Sequence, residues 1–353
     1  MSVLSVLLYP FSVLFRLATD IRNHLYSIGH KKSTKFEVPI IVVGNLNVGG
    51  SGKTPAIEYL IRLLKKDFQL ATLSRGYGRR TRGLRFASEQ DTAASLGDEP
   101  YQFYKNFGKE VKVVVGEDRA FAIPNILHEW SDVNVILLDD AYQHRRVTPH
   151  LTILLTEFDR PFFNDHLIPS GRLRESRKEA RRADVIVVTK CREELSYSEE
   201  KKLIERIGEY AGNKPVFFSQ IEYAQPEPFI NNHSIGHDVV LVSGIANAQP
   251  LEKYVSSHFN MLRHFKFRDH HHYAVKEIQS ISNFISSHPG ASLLTTEKDM
   301  VRLLDPRFQR VLKDIPCFYF PIKMTFMKNG SDFDAIVRNA IEKVIANANS
   351  ATD

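Results

Sequence analysis

The stretch from Val38 to Pro55, VPIIVVGNLNVGGSGKTP, constrains the fold of this chain more than any other. Residues 40–43 form a continuous β-branched run, which is typical of a strand buried on both faces of a parallel sheet. A glycine-rich turn follows, then Lys53 and Thr54 at the start of an amphipathic stretch. Glycines allow backbone N–H groups to approach phosphate oxygens, and a helix N-terminus favours anions. The order of strand, loop and helix therefore predicts a phosphate-binding loop.

Each position of such a loop has a predicted role. Lys53 is expected to reach the β- and γ-phosphates of a nucleotide, and Thr54 to place its hydroxyl on Mg²⁺. Asn47 stands where the pattern G-x-x-x-x-G-K-[ST] has its first glycine, but Asn tolerates left-handed backbone angles, so the loop can still form. A glycine-rich turn without a ligand is the alternative. The predicted nucleotide-binding residues are Asn47, Val48, Gly49, Gly50, Ser51, Gly52, Lys53 and Thr54.

The composition bounds the class of protein. With 353 residues, 43% of them hydrophobic and 25% charged, the chain can bury a large core and is long enough for two domains. Cys191 and Cys317 lack metal-ligand spacing and cannot form a disulfide framework, which fits a reducing cytoplasm. The net charge of +6 and the pI near 9.1 favour an anionic partner, whether nucleotide, membrane surface or nucleic acid.

The N-terminal segment is apolar but short. Its run SVLSVLLYPFSVLF covers about 14 residues, which is too few to span a bilayer, and it lacks a basic leader. Leu17, Ile21 and Leu25 then continue a helical apolar stripe beside basic residues. This pattern predicts a helix over residues 1–30 that lies in a membrane interface. An amphipathic helix packed on the protein's own core is the alternative.

A second motif carries acidic side chains. In VNVILLDDAYQHRRV, the apolar residues 135–138 run directly into Asp139 and Asp140. A strand of this kind beside a phosphate loop supplies the carboxylate that holds Mg²⁺. Gln143 and His144 follow at the same edge, where a lone histidine is more often structural. The two motifs together predict a site for a nucleoside triphosphate.

Other polar residues follow the predicted strands. Arg75 belongs to a basic turn that could hold a second phosphate or could simply be solvated, and Arg119 ends a charged turn. Asp98 lies at a predicted helix entry, where it either caps the helix or accepts a proton from an attacking hydroxyl. Arg172 begins the densest basic run of the chain. That run has no interleaved aromatics, which argues against nucleic acid and favours a membrane face or a phosphorylated substrate.

The remainder predicts an α/β fold throughout, with further strands and helices after Pro215. We expect an interface helix over residues 1–30, a P-loop domain over 31–214 and a smaller α/β lobe over 215–353. Near the end, FKFRDHHHY places three consecutive histidines after Asp269. Consecutive side chains of an extended chain point in different directions, so one histidine paired with a carboxylate is favoured over a zinc site.

In combination these motifs resemble the tetraacyldisaccharide 4′-kinase family, the lipid A 4′-kinases, which are membrane-associated P-loop kinases. The resemblance is carried by VGNLNVGGSGKTP, LSRGYGRR, GDEP, VGEDR, LLDDAYQHR, LIPSGRLRE, FRDHHHY and TTEKD, in the family's order over about residues 38 to 300. The family also uses the shortened glycine pattern at Asn47. Departures are Ala141 and Tyr142, where Gly and Phe are more frequent, and Arg172, where Pro is common.

The resemblance implies a P-loop NTPase-type, mostly parallel sheet and a transfer of the γ-phosphoryl group of ATP to the 4′-hydroxyl of a tetraacyl glucosamine disaccharide 1-phosphate. It implies Mg²⁺, a peripheral position at the cytoplasmic face of the bacterial inner membrane, and no nucleic-acid partner. Asp98 would act as the base, assisted by His270, with Lys53 on the phosphates and Thr54, Asp139 or Asp140 at the metal. The implied substrate contacts are Arg75, Tyr77, Arg119, Gln143, His144 and Arg172.

Two other functions share the phosphate loop. A nucleotide-hydrolysing switch would use the same loop and acidic strand, and a nucleotide-gated membrane-binding module would use the loop and the N-terminal helix. Neither function requires Asp98 and His270.

Overall fold

The computed structural model describes residues 3–350. Within them the strands form a nine-stranded and a five-stranded sheet. The strands are β1 (Ile40–Asn45), β2 (Leu70–Ser74), β3 (Arg85–Phe86), β4 (Lys112–Val115), β5 (Val135–Asp139), β6 (Leu151–Glu157), β7 (Val185–Thr189), β8 (Val216–Tyr223), β9 (Glu227–Pro228), β10 (Asp238–Ser243), β11 (Asn260–Lys266), β12 (Ser292–Thr296), β13 (Cys317–Phe320) and β14 (Ile322–Phe326).

Helices alternate with these strands, as the sequence predicts. They are α1 (Val3–Ser27), α2 (Lys53–Leu64), α3 (Ala93–Leu96), α4 (Asp98–Phe107), α5 (Arg119–Glu129), α6 (Tyr197–Ala211), α7 (Gln249–His258), α8 (Val275–Ser286), α9 (Glu297–Leu303), α10 (Pro306–Leu312) and α11 (Gly330–Asn349). Two short 3-10 helices cover Phe162–Asn164 and Arg177–Arg182, the second within the basic run that begins at Arg172.

The larger sheet has the order β14-β8-β7-β6-β1-β5-β2-β4-β3. Its pairs are parallel except those of β14 with β8 and β3 with β4. Strand β1 lies between β5 and β6, and all its residues are buried, which explains its continuous β-branched run. The carboxyl ends of β1, β2 and β5 therefore meet at one edge of the sheet, and the predicted α/β P-loop fold is confirmed by this arrangement and by the comparisons below.

Apolar side chains pack on both faces of the larger sheet. On one face, Ile57 of α2, Phe103 of α4 and Val337 of α11 belong to a single core with the strands. On the other, Ile123 of α5 packs against β1, β2 and β5. This packing fixes helix α2, and with it the N-terminus that follows the phosphate loop, against the larger sheet.

The smaller sheet has the order β11-β10-β12-β13-β9 and forms a second lobe with α7 to α10. Sheet membership divides the chain differently from the boundary we predicted after residue 214. Strand β8 continues the larger sheet beside β7, and the chain returns to that sheet through β14 and α11. Hydrophobic periodicity indicates that a strand forms but not which neighbour it pairs with.

Helix α1 leaves much of its apolar surface exposed. Leu7, Leu14 and Leu17 are 67%, 64% and 54% exposed. On its other side, Arg22 and Asn23 donate hydrogen bonds to Glu175, which attach the helix to the larger lobe. Within residues 3–350, no helix is both long enough and apolar enough to cross a membrane.

Candidate functional site

The phosphate loop follows β1 and ends at the first turn of α2. Gly49 and Gly52 have φ values of 116° and 81°, which side chains other than glycine rarely adopt. The guanidinium of Arg172 donates to the carbonyl of Val48 at 2.8 and 3.1 Å, and the ammonium of Lys190 donates to the carbonyl of Gly50. Two N–H groups of the loop, those of Val48 and Ser51, donate to the carbonyls of Arg172 and Gly49. Arg172 and Lys190 therefore hold the loop from outside, and the N–H groups of the first turn of α2 are the donors that would face an anion.

Lys53, the first residue of α2, lies between two acceptors. Its Nζ is 3.2 Å from Oδ1 of Asn45 and 3.7 Å from Oδ1 of Asp140. Asp140 has a φ of 47° and also accepts from Nη1 of Arg174, at 2.9 Å on one oxygen and 3.0 Å on the other. Partial burial alone would raise the pKa of the Asp140 carboxyl, but the charges of Lys53 and Arg174 outweigh it and hold the pKa below its usual range.

Asp139, one residue earlier, is differently placed. Only 6% of it is exposed; Oδ2 accepts from Oγ of Ser74 at 3.2 Å, whereas the buried Oδ1 has no hydrogen-bond partner within the described chain. Burial and the neighbouring charge of Asp140 raise the pKa of the Asp139 carboxyl to about 7. An unsatisfied buried carboxylate oxygen at the end of β5 is a ready ligand for a cation.

The donor set fits a magnesium ion. Carboxylate and hydroxyl oxygens are the ligands that Mg²⁺ prefers, and it usually takes only one or two carboxylates together with phosphate oxygens and water. Asp139 and Thr54 supply such oxygens. In the described part of the chain no group of three or more His, Cys, Asp or Glu residues could hold a metal by itself, so a metal here would depend on the nucleotide for further ligands.

A basic group lies beside these carboxylates. Arg119, at the start of α5, is 3% exposed. Burial lowers the pKa of its guanidinium, and the charges of Asp139 and Asp140 partly offset this effect. His144 has its pKa lowered to about 4 by burial and by the charges of Arg119, Arg146 and Arg75, partly offset by Asp118.

Unsatisfied polar atoms concentrate in this region. Among residues 3–350, the buried polar atoms without a partner include Oγ of Ser51, Nε of Arg119, Oδ1 of Asp139 and Nε2 of His144. Buried polar atoms of folded proteins are nearly always paired, so such a cluster indicates a ligand site.

Asp98 and His270 meet across the two lobes, as the sequence hypothesis requires. Asp98 is the first residue of α4, and His270 lies in the loop after β11 with a φ of 57°. Nδ1 of His270 is 3.1 Å from Oδ2 of Asp98, and Nζ of Lys298 is 3.0 Å from Nε2 of His270. An ammonium can only donate, so Nε2 accepts and the ring proton sits on Nδ1, from where it is donated to Asp98.

Arg302 also holds Asp98. Its Nε and Nη2 donate to Oδ2 of Asp98 at 2.9 and 2.7 Å. Burial alone would raise the pKa of Asp98, but the hydrogen bond from His270 and the charges of Arg302 and Lys298 outweigh it and lower the pKa to about 2. Asp98 is therefore ionised at neutral pH.

Only some of the other predicted site residues contact the Asp98–His270 pair. Tyr77 is 69% exposed and packs edge-on against the His270 ring, with centroids 5.4 Å apart. Gln143 donates to the carbonyl of Asn45 at 2.9 Å, and Arg75 is exposed at the end of β2. Arg172 faces the phosphate loop rather than the Asp98 region.

Sequence reasoning assigned no role to four residues that hold this site. They are Arg174, Lys190, Lys298 and Arg302. A sequence signal exists for one of them, because Arg302 stands three residues after Asp299, the spacing of an ion pair on a helix, and both lie on α9.

A nucleotide loop, an adjacent acidic strand and a carboxylate joined to a histidine from a second lobe define the class of P-loop phosphotransferases. The sequence model of the family described as tetraacyldisaccharide-1-P 4′-kinase, LpxK, matches residues 4–342. This chain belongs to that family.

Individual relatives agree with this assignment. The chain is 40% identical to the tetraacyldisaccharide 4′-kinase of Flavobacterium johnsoniae over 97% of its own length and 99% of the relative's. It is 40% identical to the protein of the same name from Flavobacterium psychrophilum, with 98% and 100% covered. A crystal structure of LpxK from Aquifex aeolicus in complex with ATP superposes with a TM-score of 0.73 at 30% identity, covering 96% of this chain and 99% of that one. The predicted family and enzyme class, an ATP-dependent kinase, are confirmed.

Proposed function

We propose that this kinase transfers the γ-phosphoryl group of ATP to the 4′-hydroxyl of a tetraacylated glucosamine disaccharide 1-phosphate, as the names of its relatives describe for those proteins. The observation that carries the proposal is the contact of Asp98 with His270 at 3.1 Å across the two lobes. A hydrolysing switch or a membrane-binding module has no use for a carboxylate placed to accept the proton of an alcohol.

Lys53 and the loop N–H groups would bind the β- and γ-phosphates. The transferred group carries negative charge over its oxygens, so positioned cations supply most of the catalysis. Arg119 lies close enough to Asp139 and Asp140 to interact with their charges, and Arg75 lies close enough to interact with Arg119 and His144. These two arginines are the cations proposed to compensate this charge or the acceptor's existing phosphate. Tyr77, Gln143, His144 and Arg172 complete the set of residues proposed for substrate or loop contacts.

Mg²⁺ would be held by Asp139 and Thr54. The buried, unpartnered Oδ1 of Asp139 supports this choice, whereas both oxygens of Asp140 already face Arg174. When bound, the ion neutralises phosphate charge. Asp140 then serves to hold Lys53 and Arg174 in place.

Asp98 would take the proton of the acceptor hydroxyl. The hydroxyl oxygen forms a bond to the γ-phosphorus while the bond from that phosphorus to the β-γ bridging oxygen breaks, and ADP leaves. His270 donates to Asp98 through Nδ1 and so orients it.

The chain would act as a peripheral protein at the cytoplasmic face of the inner membrane. The exposed leucines of α1 support this, because a lipid acceptor lies at the bilayer surface and its acyl chains need not leave it. The net charge of +6 favours an anionic surface.

Radiolabelled ATP mixed with the acylated disaccharide 1-phosphate tests the reaction, since only a kinase yields a labelled lipid. We expect Asp98→Ala to lower kcat at least 100-fold while ATP binding persists. Near-normal turnover in that variant would refute the base assignment, and phosphate release without labelled lipid would favour the hydrolysing switch.

Liposome sedimentation tests the membrane proposal. Leu14→Glu with Leu17→Glu places two charges on the exposed face of α1 and should weaken binding to anionic vesicles, as should deletion of residues 1–30. Ile204→Glu with Val275→Glu is the matched control, because these residues are each 43% exposed on α6 and α8. Equal binding by all variants would contradict the role of α1.

A further inference from the structure

Arg302 connects the two lobes at the proposed base. It lies on α9 beside the smaller sheet and is only 7% exposed. Its guanidinium faces Asp98 of the larger lobe on one side and Asp299 of its own helix on the other. A buried arginine with acidic partners in both lobes can position a reacting group as well as stabilise the fold.

The hydrogen bonds to Asp98 are distributed unequally over its two oxygens. Oδ2 accepts from Nε of Arg302, from Nη2 of Arg302 and from Nδ1 of His270. Within the described residues, Oδ1 accepts from no donor. The carboxylate is thus fixed through one oxygen, and the other is available.

The guanidinium is itself held rigidly. Nη1 of Arg302 donates to Oδ1 of Asp299 at 2.7 Å and to the carbonyl of Gly244 at 3.1 Å. Asp299, which is fully buried, also accepts from the hydroxyl of Tyr273 at 3.0 Å. Tyr273 follows His270 by three residues and lies in the same segment between β11 and α8.

We propose that Arg302 is a positioning residue that clamps Oδ2 of Asp98, so that Oδ1 is the oxygen that receives the proton of the acceptor hydroxyl. The proposal rests on the base assignment made above and adds to it which oxygen reacts and what orients it. Because Arg302 and Asp98 belong to different lobes, the base is oriented only when the lobes stand as they do here.

The charge of Arg302 has a second effect. Asp98 is faced by His270 and Lys298 as well as by Arg302, and Glu99 lies beside it on α4. Removing one cation from this set raises the pKa of the Asp98 carboxyl, because burial then opposes its ionisation with less compensation. A variant without the cation should therefore lose activity as the pH falls through the range where the native protein keeps Asp98 ionised.

Steady-state kinetics of the full chain between pH 5 and pH 8 test the proposal. We expect Arg302→Gln to lower kcat 10- to 100-fold at pH 7.5 with the KM for ATP changed less than threefold, and to add a decline of kcat toward pH 5 relative to the native protein. Arg302→Lys should recover part of kcat and lack the added decline, because it keeps the charge without the planar fork. Arg310→Gln, which removes an exposed arginine of α10, is the matched control.

Tyr273→Phe keeps the proposal testable if Arg302→Gln does not fold. It removes one hydroxyl from Asp299 and should lower kcat severalfold without changing the KM for ATP. If Arg302→Gln folds and keeps the native kcat and pH dependence, the positioning role of Arg302 is refuted. If Arg302→Gln does not fold, native kcat and pH dependence in Tyr273→Phe refute it. If Asp98→Ala is also active, the base assignment itself fails; if Asp98→Ala is inactive, only the positioning role fails.

Discussion

Glu58 and Glu297 accept hydrogen bonds from the same amide although they belong to different lobes. Nδ2 of Asn106, on α4, donates to Oε1 of Glu58 at 3.1 Å and to Oε1 of Glu297 at 2.6 Å. The two glutamates are 1% and 4% exposed. Burial and the charge of Glu58 raise the pKa of Glu297 to about 7, so the contact between the lobes binds a proton near neutral pH.

The first prediction concerns Glu297→Gln. The pKa of Glu297 is higher in the folded chain than the ordinary 4.5, so its protonation stabilises the fold at low pH and this contribution is lost as the pH rises through about 7. Glutamine does not titrate. The free energy of unfolding of the native protein relative to the variant should therefore fall by about 1–3 kcal/mol between pH 5.5 and pH 8.5.

Urea unfolding at both pH values measures this difference, with the exposed Glu342→Gln as the matched control. A stability difference between native protein and Glu297→Gln that is independent of pH would contradict the raised pKa of Glu297.

Local patterns were sufficient for many of the strands, though not for β11, β13 or β14, and for the motifs of the predicted nucleotide site. The run before Asn45, the glycine loop and the Asp139–Asp140 pair each lie within one short segment, and adjacent parallel strands place them together. The same holds for Asp98 as a helix start.

Partners distant along the chain could not be predicted in this way. Arg302 lies 204 residues from Asp98, and Arg174 lies 34 residues from Asp140. Nor does the pattern of β14 indicate that it returns to the larger sheet, because its alternation would suit an edge strand of either sheet. The interface function of α1 stays a prediction.

The second prediction concerns Gly44, in the buried strand before the phosphate loop. A Cβ built there would lie 2.7 Å from Cβ and 2.9 Å from the backbone nitrogen of Tyr142, so a backbone segment has to move. Gly44→Ala should lower the free energy of unfolding by about 1–3 kcal/mol and weaken ATP binding.

Gly50→Ala is the control in the same stretch, because its Cβ would meet only Nζ of Lys190 at 3.9 Å. Urea unfolding of both variants checks the prediction. Equal stability of the two would show that Tyr142 gives way without cost.

The third prediction distinguishes the two carboxylates after β5. Asp139→Asn should raise the Mg²⁺ concentration for half-maximal velocity at least tenfold, since it replaces the proposed metal ligand. Asp140→Asn should chiefly lower kcat, because it releases Lys53 and Arg174.

Magnesium titrations of velocity at saturating ATP provide the measurement, and the exposed Asp132→Asn is the control. If Asp140→Asn shifts the magnesium dependence and Asp139→Asn does not, the two roles are reversed.

The fourth prediction concerns His144, whose pKa is lowered to about 4 by burial and the neighbouring arginines. The unfolded chain binds a proton at this residue at a higher pH than the folded chain, so its contribution to stability is complete above about pH 6.5 and is lost as the pH falls toward 4. His144→Gln removes this loss. Because the ring is partly exposed, we expect the native protein to lose about 1 kcal/mol more than the variant between pH 7 and pH 5. Urea unfolding measures the difference, with the exposed His237→Gln as the control, and parallel losses in the native protein and His144→Gln would mean that the ring is protonated as readily in the folded chain as in the unfolded one.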